Sequence, residues 1–234
     1  MTNFRASSSH HLIARGRTKA PTLTQGAKTY LRDLWLKENC EYDPAIWSPQ
    51  MEKGNLVEDE SIELYARLIA KKPIFKNEQH FTKPLVESLH TGTPDAIHQG
   101  QIIEIKSCYN PHSFITADLK KEYWAQVQSY LRLTDLTTGW LIYTLVDLPE
   151  HLLAQEERKF CYQQGIIDPE GSLAQDALAH FRKQWIYSTN PKYPAEQRLK
   201  IYKIDKDPDF EENIMVGSEI AMEYYNTITL NQAI

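Results

Sequence analysis

Residues 91–106 read Thr-Gly-Thr-Pro-Asp-Ala-Ile-His-Gln-Gly-Gln-Ile-Ile-Glu-Ile-Lys, and three of them, Asp95, Glu104 and Lys106, could do chemistry together. Two β-prone runs, 95–98 and 101–106, flank Gln99-Gly100. Glycine enters the left-handed region without steric cost, so a tight two-residue hairpin is predicted there. That register sets Ile97 opposite Ile102 and Asp95 opposite Glu104. Directly opposed residues have Cβ atoms about 4.5–5.5 Å apart, where two carboxylates repel unless something positive joins them. Lys106 projects from the same strand face as Glu104, while Ile103 and Ile105 face the other way. Two convergent carboxylates suit a hard divalent cation such as Mg²⁺. A plain surface hairpin with a solvated Glu–Lys pair uses the same residues, and this stretch leaves both readings open.

These residues need elements to hold them. The chain of 234 residues carries 41% hydrophobic and 24% charged residues, enough for one domain with a buried core. No apolar run of about 18 residues could span a bilayer. Cys40, Cys108 and Cys161 are far apart and lack paired metal spacing, which argues for a reducing compartment and against a disulfide framework. A net charge of −5 does not advertise a nucleic-acid binder, but a site needs only a local basic groove. The first 32 residues hold six basic residues and no acid, and could form that groove or a solvated arm. A short helix over 7–15 would be capped by its serines, Ser9 among them, and free N–H groups beside Arg15 and Arg17 could hold a phosphate. Paired His10 and His11 read as surface residues before metal ligands.

Periodicity predicts helices over 24–39 and 51–70. In the second, Glu58, Ile62, Tyr65 and Ile69 share a stripe, so Glu58 is a carboxylate on the inward face. It requires a partner, either a metal site or a buried Arg or Lys. Residues 85–90 read as a strand beside the hairpin. A helix over 120–133 places Tyr123, Gln126, Val127 and Tyr130 on one face and turns Gln128 outward. The inward Gln126 amide must be bonded, to phosphate, water, Lys106 or a backbone carbonyl. Residues 139–146 form a β-prone run suited to a central strand, and 199–204 another. Ser172 and Gln175 suggest a capping box opening a helix to about 185, and Asp207-Pro208 a capped final helix with Phe210, Ile214, Gly217, Ala221 and Tyr224 inward.

With those elements in order, Pro94-Asp95 followed by Glu104-Ile105-Lys106 resembles the signature of the PD-(D/E)XK nucleases. Lys53-Gly54-Asn55-Leu56-Val57-Glu58 resembles the Arg-Gly-x-x-x-Glu element of phage lambda exonuclease and YqaJ-type viral recombinases, with Lys53 in place of Arg. Gln126-x-x-x-Tyr130 resembles a motif of RecB-like nucleases, and residues 123–128 the matching YqaJ stretch. The likeness covers most of 51–147 and, more weakly, 199–226. It implies an α/β fold with a restriction-endonuclease-like core, a central mixed β-sheet flanked by helices. One domain over 1–234 is expected, with a family-specific insertion near 150–197.

The same resemblance implies a metal-dependent deoxyribonuclease acting on linear double-stranded DNA in phage-type recombination. Asp95, Glu104, Glu58 and the Ile105 carbonyl would hold one or two Mg²⁺ or Mn²⁺ ions. Lys106, Gln126 and Tyr130 would complete the catalytic set, with Ser9, Arg15, Arg17 and Lys53 as nucleic-acid contacts. DNA ends, a single-strand annealing protein and further copies of the chain are the implied partners, no membrane is, and the cytoplasm of a phage-infected cell is the implied location. An endonuclease of the same superfamily and a non-catalytic DNA-binding protein are the alternatives. An iron–sulfur relative is disfavoured because such clusters take four cysteine ligands.

Overall fold

The run Ile102-Ile103-Glu104-Ile105 is apolar on both sides because both faces of its strand are covered: Ile102 is 0%, Ile103 1% and Ile105 6% exposed. Strands inside sheets that carry helices on both faces read this way. The structure, a computed structural model, describes residues 1–13, 22–43 and 47–230. In chain order it comprises β1 (Thr2–Arg5), a 3₁₀ turn (Ala6–Ser8), α1 (Ser9–Ile13), α2 (Gln25–Cys40), α3 (Pro49–Leu56) and α4 (Glu58–Tyr65), which runs into a π-helical turn (Ala66–Ala70). There follow β2 (Phe81–Leu85), β3 (Ser88–Gly92), β4 (Ala96–His98), β5 (Gln101–Ser107), α5 (Pro111–Ile115), α6 (Lys121–Thr134) and β6 (Thr138–Thr144). The chain closes with α7 (Glu150–Gln164), α8 (Ser172–Arg182), a 3₁₀ turn (Ala195–Gln197), β7 (Leu199–Asp205) and α9 (Phe210–Tyr225).

Among the described residues there are two sheets, ordered β1-β3-β2 and β4-β5-β6-β7. The second is mixed: β5 pairs antiparallel with β4 and parallel with β6, and β6 antiparallel with β7. Ile103 and Ile105 pack with Ile62 and Tyr65 of α4, while Ile102 packs with Val127 and Tyr130 of α6. A mixed sheet between two helical layers is a restriction-endonuclease-like core, as expected. The hairpin is as read: Ile97 faces Ile102 and His98 faces Gln101. Its turn has positive φ at both Gln99 (51°) and Gly100 (72°), the twist that suits a two-residue antiparallel connection.

Several expectations give way. The strand over 85–90 is instead two strands, β2 and β3, joined at Glu87 (φ 50°) in the other sheet. A single helix over 51–70 is broken at Val57 (φ −106°, ψ 16°), and Ile69 is half exposed because the π-helical turn rotates it off the inward stripe. Gln128 is buried, not outward, because α6 is covered on more than one side; its amide donates to the Asp205 carbonyl (2.8 Å) and accepts from the Asp207 N–H (3.0 Å). Gly171, not Ser172, precedes α8, without a side-chain cap, and Asp209 rather than Asp207 precedes α9. The N-terminal residues are no loose arm at their start: β1 pairs with β3, burying Phe4 completely.

Glycines let the core close around α6. A Cβ on Gly92 would lie 2.8 Å from both Ala6 and the Tyr130 ring, and one on Gly139 would lie 2.6 Å from a Val127 methyl. Gly139→Ala is therefore expected to lower stability by about 1–3 kcal/mol, the usual cost of overpacking. Urea unfolding at unchanged slope but lower midpoint would show it; an unchanged midpoint would contradict this packing.

Candidate active site

Ladder pairing ends at Ala96 and Ile103, so Asp95 and Glu104 are the next residues in line across the hairpin. The Asp95 carboxylate accepts the Ile105 N–H at 2.7 Å, a bond that draws it over β5. Glu104 is 1% exposed. One of its oxygens accepts from the Lys106 ammonium at 2.6 Å; the other, Oε2, is buried with no partner. A stranded carboxylate oxygen in a dry site is costly, and a cation is the kind of group that would satisfy it.

The electrostatics show the strain of this arrangement. Burial and the neighbouring Glu104 charge push the Asp95 carboxyl well above its usual range, outweighing Lys106 and the Ile105 N–H. Burial alone would lower Lys106, but Glu104 and Asp95 outweigh it and hold the ammonium charged. The Lys106 ammonium also lies 5.0 Å from the centre of the Tyr123 ring, a cation–π contact that fixes its direction. Gln126 and Tyr130 are bonded to each other, the amide donating to the phenol oxygen at 3.0 Å. Burial and then the Glu104 charge hold the Tyr130 phenol protonated far above its ordinary range.

Glu58 opens α4 on the far face of the sheet from α6 and lies within electrostatic reach of Asp95. Of the two partners left open, a basic residue is the one seen: Lys76 donates to Glu58 at 2.6 Å. That lysine is exposed rather than buried. Among the described residues no three His, Cys, Asp or Glu side chains converge closely enough to hold a metal ion. Asp95 and Glu104 therefore present a two-carboxylate site, with Glu58 nearby and held by Lys76.

Lys76 and Asn77, the latter donating its N–H to the Asp95 carbonyl at 2.7 Å, were invisible in the sequence. No periodicity links a loop residue to a carboxylate so far along the chain. Two expected nucleic-acid contacts are placed otherwise. Ser9 is 0% exposed; its hydroxyl donates to the Ala6 carbonyl (2.8 Å), accepts from Ser129 (2.5 Å) and lies 3.1 Å from His90, tying α1 to α6 and β3. Lys53 is also 0% exposed and donates to the carbonyls of Cys108, Tyr109 and Val146. Burial pushes its ammonium down to about 8, and its visible task is to gather the ends of β5 and β6 under α3. Arg15 and Arg17 lie outside the described residues.

Solved structures match this arrangement of elements. A phage-related exonuclease from Haemophilus somnus 129PT superposes with a TM-score of 0.75 at 21% identity, over 96% of this chain and 93% of that one. The chain shares a fold with exonucleases. An alkaline exonuclease from Laribacter hongkongensis gives 0.60 at 14% identity over 96% and 90%, and its complex with dAMP gives 0.55 at 16% over 95% and 89%. Neither a family model nor a curated protein matches the sequence.

A carboxyl whose folded pKa is raised takes up protons on folding. Its contribution to stability therefore falls as pH rises from the unfolded value of 3.8 through the raised one. In chelator, Asp95→Asn, which keeps an acceptor for the Ile105 N–H, should raise stability at neutral pH, because it removes the repulsion with Glu104. It should also flatten that fall. A lower urea midpoint for the variant would contradict the repulsion inferred here.

Proposed function

We propose that this protein is a divalent-metal-dependent nuclease that digests linear double-stranded DNA from an end. The observation that carries the reading is the buried, unpartnered Glu104 oxygen beside Asp95, with a charged lysine alongside. The exonuclease fold supports it, and a nucleotide accompanies one of the Laribacter structures. Asp95, Glu104 and the Ile105 carbonyl would hold one or two Mg²⁺ or Mn²⁺ ions, with Glu58 joining once freed from Lys76. Bound there, the cation supplies Lewis acidity toward water and the scissile phosphate.

The chain's own groups supply the rest. Lys106, kept cationic by the acids and aimed by the Tyr123 ring, donates to the attacking water or to a non-bridging phosphate oxygen. Gln126 and Tyr130, locked together against β5, hold the wall of the site and keep bulk water off Glu104. The whole chain would act as one nuclease domain, with 150–197 as its family-specific insertion. Its setting would be phage-type recombination, in the cytoplasm of an infected cell, with an annealing protein and further copies of the chain as partners.

Incubation with Mg²⁺ should degrade end-labelled linear duplex and leave a closed circle intact. Glu104→Gln and Asp95→Asn should lower the rate by at least about 100-fold, the scale of losing one charge-stabilising group, while circular dichroism stays that of the folded protein. Cutting of the circle would move the assignment to an endonuclease. Digestion by Asp95→Asn at the wild-type rate would remove this site from the reaction.

A further inference from the structure

The stretch over residues 71–80 has no regular structure, yet it is fastened at several points. Ile74 packs against the cluster of Ile62, Tyr65, Ile103 and Ile105. Lys76 is held on Glu58 at 2.6 Å. Asn77 donates its N–H to the Asp95 carbonyl at 2.7 Å, and its side chain to the carbonyls of Pro94 (3.1 Å) and Gln79 (3.0 Å). Phe75 lies between these anchors and is 82% exposed.

A single exposed apolar residue ordinarily needs no explanation. This one differs in where it is held. The residue before it is partly buried against the core, the residue after it is paired with Glu58, and the next is bonded to the backbone of Asp95. The backbone that carries the ring is thus fastened beside Asp95 and Glu58. Lys71, Lys72 and Lys76, all exposed, share the loop with a single acid, Glu78. Cations spaced around an exposed aromatic ring match a nucleic-acid strand, whose phosphates take the charges while a base takes the π-face. Stacking of this kind accepts any base, as a sequence-neutral nuclease requires.

We propose that Phe75 is a stacking platform for an unpaired base of the DNA strand entering the Asp95–Glu104 site, an inference that rests on the nuclease reading above. Fastening the backbone on either side of the ring in advance removes part of the entropy cost of binding. The platform would grip a nucleotide next to the scissile phosphate, and it would favour ends that are already frayed or overhanging.

The test uses a duplex with a short single-stranded overhang carrying 2-aminopurine, whose fluorescence is quenched on stacking. In an Asp95→Asn background in chelator, where digestion is slowed far below the time of the reading, binding should quench the probe. Adding Phe75→Leu should abolish the quench, and Phe75→Trp should restore it. In otherwise wild-type protein, Phe75→Leu should raise KM by roughly 5- to 150-fold, the fold-change that corresponds to one base–aromatic stack, with a much smaller change in kcat. Equal quenching by the Leu variant, or an unchanged KM, would overturn the platform even though digestion persists. A wild-type protein that digests no DNA would instead overturn the nuclease reading and this inference with it.

Discussion

Two carboxylates and one ammonium held where water scarcely reaches are the constraint on which this molecule depends. Glu104 is almost wholly buried in the middle of β5, between Ile103 and Ile105. Hydrophobic packing of Ile102, Ile103 and Ile105 against helices on both faces drags the acid into the core. The fold therefore supplies the energy that keeps Asp95 and Glu104 together. Lys106 offsets only part of the repulsion, because its ammonium reaches a single Glu104 oxygen. The site is accordingly a local weakness stabilised from outside, the pattern found where residues are arranged for chemistry rather than for stability.

The surrounding elements serve that arrangement. Lys53 draws the ends of β5 and β6 together beneath α3 through three carbonyls. The buried Ser9–His90–Ser129 contacts fix the first helix to α6, and α6 in turn brings Gln126, Tyr130 and Tyr123 to the face of β5 that bears Glu104. Gly92 leaves room for the Tyr130 ring to sit against β3. On the other face, α4 brings Glu58 within reach, where Lys76 holds it. The Lys76 side chain of that pair is about half exposed (47%), so its loss of Glu58 is offset by water.

How much was legible follows from the range of each interaction. The Gln99-Gly100 turn and the register across it are local, governed by backbone conformations of two residues, and both were readable. So were α2, α6, β6 and β7, from their apolar periodicity or β-prone composition. Gln128, Ser9 and Lys53 were misjudged because their polarity suggests a surface, whereas distant elements bury them and satisfy them with backbone groups. The strand pair β2–β3 reads as a single strand in the sequence because Val86-Glu87 carries none of the usual turn residues. Glu58 was identified as needing a partner, but Lys76 could be supplied only by a loop whose course no periodicity describes.

On the proposed function, the Asp95–Glu104 pair receives a divalent cation. Calorimetric titration of the chelator-treated protein with Mn²⁺ tests it without reference to catalysis. Uptake of one or two ions is expected, lost in Glu104→Gln and weakened only in part in Glu58→Gln. A wild-type protein that takes up no cation, or one whose uptake survives Glu104→Gln undiminished, would contradict it.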